Sequence, residues 1–186
     1  MSRSDFPRRI GKQWTLFLDR DGVLNRRIVN DYVRKWEDWE WLPGVLDSMK
    51  TLAEIFGTIV IVTNQRGIAR GLYSEGDLAV IHAKMKTDIE TAEGKIDSIY
   101  FCPHDRDEGC DCRKPKPGML LQAVEAHPNI DLEKSILVGD SVSDMEAANA
   151  LNVNAVFIGS VSDEQPSNVL TTLPDLATFA RLIQKV

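Results

Sequence analysis

The sequence predicts an α/β fold, a Rossmann-like parallel sheet with helices on both faces. Two observations predict it. Short, continuous apolar runs alternate with helical patterns along most of the 186 residues, as expected of strands covered on both sides by crossover helices. Carboxylate, hydroxyl and amide residues also stand at the ends of three of those runs, where open parallel sheets bind ligands.

The elements follow in order. "WTLFLD" (14–19) is an apolar strand ending at a carboxylate. "PGVLDSMKTLAEIFG" (43–57) places Pro at a helix start, Val45, Met49, Leu52 and Phe56 at helical spacing, and Gly57 at the stop. "TIVIVTN" (58–64) is the next strand, and 74–94 the next helix, with Ser74 as its cap. A strand at 96–101, a helix near 117–127, a strand at 135–140 and a helix near 143–151 come next. A strand at 154–159 and a terminal helix near 175–185 complete the pattern, with 159–168 as a surface loop. Segment 22–42 fits neither period and holds Trp36, Trp39 and Trp41. There is no internal repeat, low-complexity tract or domain boundary, so 1–186 reads as a single domain.

Composition narrows the function classes. The longest apolar runs are strand-sized, and the first residues lack an apolar signal core, so a cytoplasmic protein with no membrane partner is expected. A net charge of −6 disfavours nucleic acid as a partner. A small phosphorylated molecule and a monomeric protein are the expectation.

Reading the strand ends collects Asp19 and Asp21 after the first strand, Thr63 and Asn64 after the second, and Asp140 and Asp144 after "ILVG". Asp19 and Asp21 are two residues apart, so in extended backbone their side chains lean the same way. Clustered carboxylates repel and call for a cation, and hard oxygen ligands suit Mg²⁺. Asp19, Asp21 and Asp140 are the expected magnesium ligands, Asp21 through its carbonyl. Asp144 is open between orienting a lysine, holding a metal water and complementing a helix start.

"LDRDGVLN", "VTNQRGIARG", "CRKPKPGM" and "VGDSVSDM" resemble the four motifs of the haloacid dehalogenase superfamily of phosphatases, in the right order. The resemblance runs from about residue 14 to residue 158. "TNQRGIARG" with the cysteine loop is similar to the heptose-1,7-bisphosphate phosphatases, and histidinol-phosphate phosphatases carry a similar loop. It implies Asp19 as nucleophile through an aspartyl-phosphate and Asp21 as general acid–base. It also implies that Thr63 and Asn64 bind phosphate oxygens and that Lys114 neutralises charge on the transferring group. Gln65, Arg66, Arg70 and Arg113 are candidates for further phosphate contacts, since arginine forks match phosphate geometry.

Every cysteine lies in "CPHDRDEGCDC" (102–112). Disulfide, redox switch, catalytic thiol and metal site are the possible readings. Cys102, His104, Cys110 and Cys112 form a Cys₃His set suited to structural zinc, which would aim Arg113 and Lys114. His82 and His127 read as surface or packing residues.

Only 41 residues (22–62) separate Asp21 from Thr63, and 49 (65–113) separate Asn64 from Lys114. Neither interval, already holding a helix and a strand, leaves the ~50 residues a separate cap needs. The expected fold is therefore a capless haloacid dehalogenase fold with a zinc-bound loop, walled by 22–42, 65–73 and the cysteine loop. The three tryptophans are expected to form an apolar patch within that wall. The resulting expectation is a phosphatase acting on a sugar bisphosphate. Histidinol phosphate, a polynucleotide 3′-phosphate and a non-catalytic binding role are the alternatives.

Overall fold

The computed structural model describes Phe6 and residues 10–160 and 168–184. Six strands form one parallel sheet in the order β3-β2-β1-β4-β5-β6. They are β1 (Thr15–Leu18), β2 (Thr58–Asn64), β3 (Ser98–Cys102), β4 (Ser135–Gly139), β5 (Asn154–Ile158) and β6 (Val169–Leu173). Four α-helices connect successive strands from β1 to β5, α1 (Val45–Ile55), α2 (Glu75–Thr91), α3 (Gly118–Ala126) and α4 (Val142–Asn149), and α5 (Leu176–Gln184) follows β6. Among the described residues no helix is long and apolar enough to cross a membrane.

The two-residue period of the strands distributes the core. Leu16 and Leu18 of β1 and Ile59 and Ile61 of β2 face one side, with Met49 and Leu52 of α1, Met85 and Ile89 of α2 and Phe179 of α5. Phe17, Val60 and Val62 face the other, with Met119, Leu120 and Ala123 of α3 and Met145 and Ala148 of α4. β1, β2 and β4 are buried along nearly their whole length, which is why they read as unbroken apolar runs.

The expected elements from 14 to 159 are all present within a few residues of their expected limits, and Ser74 caps α2 in a reciprocal pair with Asp77. β6 was not expected from the sequence. It is an edge strand, mostly half-buried, beyond a register irregularity at Ala155/Val156. Residues 161–167 of the expected loop, and residue 185 of the terminal helix, lie outside the described residues.

Segment 22–42 is irregular but anchored. Asn25 forms bridges with both Asp21 and Trp41. Trp36 and Trp39 stack at 5.3 Å, Trp39 meets Trp41 edge-on at 5.0 Å, and all three pack against the core face that carries α1 and α2. The apolar patch is thus present. No separately folded unit stands between β1 and β2 or between β2 and α3, as a capless arrangement requires.

Candidate active site

β1 and β4 are adjacent at the centre of the sheet, where the strand order reverses direction. The Asp19 amide continues the ladder by donating to the Val138 carbonyl at 2.9 Å, which brings the end of β1 beside the Asp140 turn. A cavity of about 440 Å³ opens over these strand ends. Asp19, Asp21, Thr63, Asn64, Arg66, Arg113 and Lys114 all line it.

Lys114 is almost fully buried and is the hub of the floor. Its Nζ donates to Asp19 Oδ1 at 2.8 Å and to the Val62 carbonyl at 2.7 Å, and pairs with Asp144 Oδ1 at 2.5 Å. Burial opposes its charge, but the Asp144 and Asp19 carboxylates outweigh burial and hold its pKa above the ordinary lysine range. The Lys114 main chain is fixed as well. The Asn64 side-chain amide donates to the Lys114 carbonyl and accepts from the Lys114 N–H, both at 3.1 Å.

One oxygen each of Asp19, Asp140 and Asp144 lies within 4.8 Å of the others. Three crowded hard donors with one lysine among them fit a divalent cation such as Mg²⁺. Burial raises Asp19 to about 6 against the pull of Lys114, and burial with the Asp19 charge raises Asp140 to about 7. Such carboxyls ionise fully only when a further positive charge joins them. Asp144 is fully buried, with Oδ2 accepting from the Ser141 amide and hydroxyl while Oδ1 faces Lys114. Its contacts are those of a residue that orients Lys114. Gly22 makes the approach possible: its φ is +97°, and an added Cβ would stand 1.9 Å from Asp140 Oδ2.

The Asp21 carboxylate corrects the expectation that Asp19 and Asp21 lean together over one cation. It lies outside the cluster formed by Asp19, Asp140 and Asp144. Arg20 Nη2 donates to both its oxygens at 2.9 Å, Asn25 Nδ2 to Oδ1 at 2.9 Å and Gln65 Nε2 to Oδ2 at 3.0 Å. β1 ends at Leu18, ahead of both aspartates, so the alternation of an extended strand does not carry through to Asp21. Burial pushes the Asp21 pKa up, but the Arg20 charge and these donors carry it below the ordinary range.

Two further expectations are corrected. Gln65 is buried and does not line the cavity. Its amide bridges Asp21 and Thr63 Oγ1 (2.8 Å), and its oxygen accepts from Tyr73 at 2.6 Å. Arg70 is exposed and does not line the cavity. Arg66 and Arg113 do line it, Arg66 paired with Asp105 at 2.6 Å and Arg113 donating to the His104 carbonyl at 3.2 Å.

Arg27, from the expected wall segment 22–42, and Arg106, which the sequence did not single out, also line the cavity. Both lie in irregular loops where no period points a side chain. Arg27 Nη2 contacts Asp140 Oδ1 at 2.8 Å. Also missed were the contacts of Arg20, Asn25, Tyr73 and His82 around Asp21, buried groups whose sequence pattern does not say which polar atom meets which. His127 is a packing residue whose ring meets Ser98 Oγ at 3.1 Å.

The cysteine loop gathers its four donors within 4.8 Å. Cys102 Sγ is 3.6 Å from both Cys110 Sγ and His104 Nδ1, and His104 Nδ1 is 3.2 Å from Cys112 Sγ. A tetrahedron with arms of ~2.0–2.3 Å has edges of roughly 3.3–3.8 Å, so the set fits zinc. All three cysteines are free thiols. Burial pushes the Cys102 thiol far up, so a cation is needed for it to ionise.

Comparison with known proteins places this geometry. The family model described as polynucleotide kinase 3 phosphatase matches residues 16–160. A D-glycero-alpha-D-manno-heptose-1,7-bisphosphate 7-phosphatase of Mycobacterium bovis is 46% identical over 153 residues, 82% of this chain and 80% of the relative. A D-glycero-beta-D-manno-heptose-1,7-bisphosphate 7-phosphatase of Pseudomonas putida is 41% identical over 172 residues, 89% of this chain and 97% of the relative. The crystal structure of the D,D-heptose 1,7-bisphosphate phosphatase from B. bronchiseptica, complexed with magnesium and phosphate, superposes with a TM-score of 0.83 at 34% identity. That match covers 93% of this chain and 99% of the other. The chain belongs to the family that the polynucleotide kinase 3 phosphatase model describes, and within it to the heptose-1,7-bisphosphate 7-phosphatases of the haloacid dehalogenase superfamily.

Proposed function

We propose that this chain is a magnesium-dependent phosphatase that removes the 7-phosphate of D-glycero-D-manno-heptose 1,7-bisphosphate. The observation that carries the reading is Asp19 held by Lys114 at the floor of a cavity also lined by Arg27, Arg66, Arg106 and Arg113. A buried nucleophile under a ring of cations suits a substrate with one phosphate at the floor and another at the rim.

Lys114 occupies Oδ1 of Asp19, which leaves Oδ2 to attack phosphorus. The bond from phosphorus to the sugar oxygen breaks, and the departing alkoxide takes a proton from Asp21, which the monoanion of the substrate phosphate loads beforehand because the free carboxylate is ionised. Asp21 then receives a proton from the water that attacks the Asp19 acyl phosphate, and inorganic phosphate leaves. Thr63 Oγ1 accepts from Gln65, so its own hydroxyl proton is available to a phosphate oxygen. Asp19, Asp140 and the Asp21 carbonyl would hold magnesium, whose charge offsets the repulsion between the phosphate dianion and the carboxylates.

Cys102, His104, Cys110 and Cys112 would hold a structural zinc, closed to chemistry because protein ligands fill all four positions. The residues of this scheme all stand on one sheet and its loops, in keeping with a single-domain enzyme. Its charged substrate supports a cytoplasmic setting.

A phosphate-release screen with Mg²⁺ tests the reading. Heptose 1,7-bisphosphate should be hydrolysed far faster than histidinol phosphate or a 3′-phosphorylated oligonucleotide, and heptose 7-phosphate should bind more weakly. Preference for the oligonucleotide would favour the reading suggested by the family model's description. The net charge of −6 weighs against that outcome. No release from any compound would leave a binding protein.

A further inference from the structure

We propose that His82, on α2, is a positioning residue for Asp21 that acts through the buried guanidinium of Arg20. The inference rests on the acid–base role of Asp21 proposed above.

Arg20 is only 1% exposed. Its Nη2 spans both oxygens of Asp21 at 2.9 Å, and its Nη1 lies 3.2 Å from His82 Nε2. The guanidinium carbon stands 5.7 Å from the centre of the Trp39 ring, and Arg20 Nε has no hydrogen-bond partner. His82 is therefore the polar anchor of this cation besides Asp21 itself. An arginine donates from every nitrogen, so His82 must offer a lone pair at Nε2 and carry its proton at Nδ1. Burial and the Arg20 charge push the His82 pKa down to about 3, which keeps that lone pair available at neutral pH.

With His82 in place, α2 and Trp39 fix the guanidinium, and the guanidinium fixes Asp21. Without it, Arg20 is a flexible side chain tethered chiefly to the carboxylate it is meant to orient. Asn25 and Gln65 still hold one oxygen each, so the carboxylate would loosen but stay in place. Orientation errors of this kind slow proton transfer while leaving substrate binding intact.

The experiment exploits the two halves of the reaction. A sugar alkoxide needs a proton from Asp21 to leave, whereas p-nitrophenolate does not. Hydrolysis of the Asp19 acyl phosphate needs Asp21 as base with either substrate. His82→Leu should lower kcat on heptose bisphosphate by about tenfold or more, with KM changed by less than about twofold. Its affinity for Mg²⁺, measured by calorimetry, should be unchanged. With p-nitrophenyl phosphate it should release a burst approaching one equivalent per chain, larger than that of the wild type, followed by slow turnover. His82→Gln restores an acceptor and should recover most of the rate.

Asp21→Asn is the control. If it bursts and His82→Leu instead loses both substrates in proportion without a burst, the positioning role fails and His82 is merely structural. If Asp21→Asn itself shows no burst, the acid–base reading of Asp21 fails first. Should His82→Leu not fold, Arg20→Lys, which keeps the charge but not the span between His82 and Asp21, must show the same burst for the inference to stand.

Discussion

Lys114 Nζ lies 2.8 Å from Asp19 Oδ1, although 95 residues separate the two in sequence. Both side chains are nearly excluded from solvent, so each neutralises the other's burial. Lys114→Met should leave Asp19 and Asp144 as unpaired buried carboxylates and destabilise the magnesium-free protein by about 3–5 kcal/mol. Urea unfolding checks this, and turnover should fall by at least roughly a hundredfold.

Asp19→Asn should abolish turnover at the acyl-phosphate step while improving stability in the absence of metal. It removes a carboxylate whose ionisation burial and the neighbouring Asp144 oppose. Turnover equal to wild type would sink the covalent mechanism.

The raised carboxyls set a pH dependence. Burial pushes the Asp19 and Asp140 carboxyls up to about 6 and about 7 in the folded protein, above the 3.8 of an ordinary aspartate. Between these values the native state binds more protons than the unfolded chain. The stability from these two groups is therefore fully present below pH 3.8 and is lost as pH rises through 6 to 7. Added Mg²⁺ should reverse that loss and release protons on binding. Thermal melts from pH 5 to 8, with and without Mg²⁺, check the sign, and Asp140→Asn should flatten the slope.

Gly22→Ala should lower Mg²⁺ affinity by about tenfold or more, since its Cβ would overlap Asp140 Oδ2. Calorimetric titration reads this directly, and α-helix content should stay at the wild-type level.

Elemental analysis of freshly purified, reduced protein should give about one zinc per chain. Cys110→Ser should lose the zinc and raise amide exchange in 103–113, while Mg²⁺ binding persists. Absence of zinc would overturn the proposal for this loop.

The sheet centre was legible because β1, β2 and β4 are buried on both faces and spell out unbroken apolar runs. Their ends named Asp19, Thr63 and Asp140 without further help. β6 was not legible, because "VLTTL" at a half-buried edge has too little apolar pattern to stand out from a loop. The surroundings of Asp21 were hidden for another reason. His82, Gln65 and Tyr73 sit in segments whose pattern reports burial but not which polar atom meets which. Gln65 read as a phosphate ligand because its position in "TNQ" faces the right strand end; the Tyr73 hydroxyl turns it inward.

The reciprocal amide pair between Asn64 and Lys114 has a consequence for how this enzyme can diversify. Cys102 accepts the Gln65 N–H at one end of the intervening loop, and Asn64 grips the Lys114 main chain at the other. The stretch between is a handle bolted to β2 at both ends, so residues can be inserted or exchanged in it while Lys114 keeps its register. Lengthening such a handle costs little entropy. New substrate preferences can thus be tried at the rim, at Arg106 and its neighbours, without reinventing the chemistry beneath.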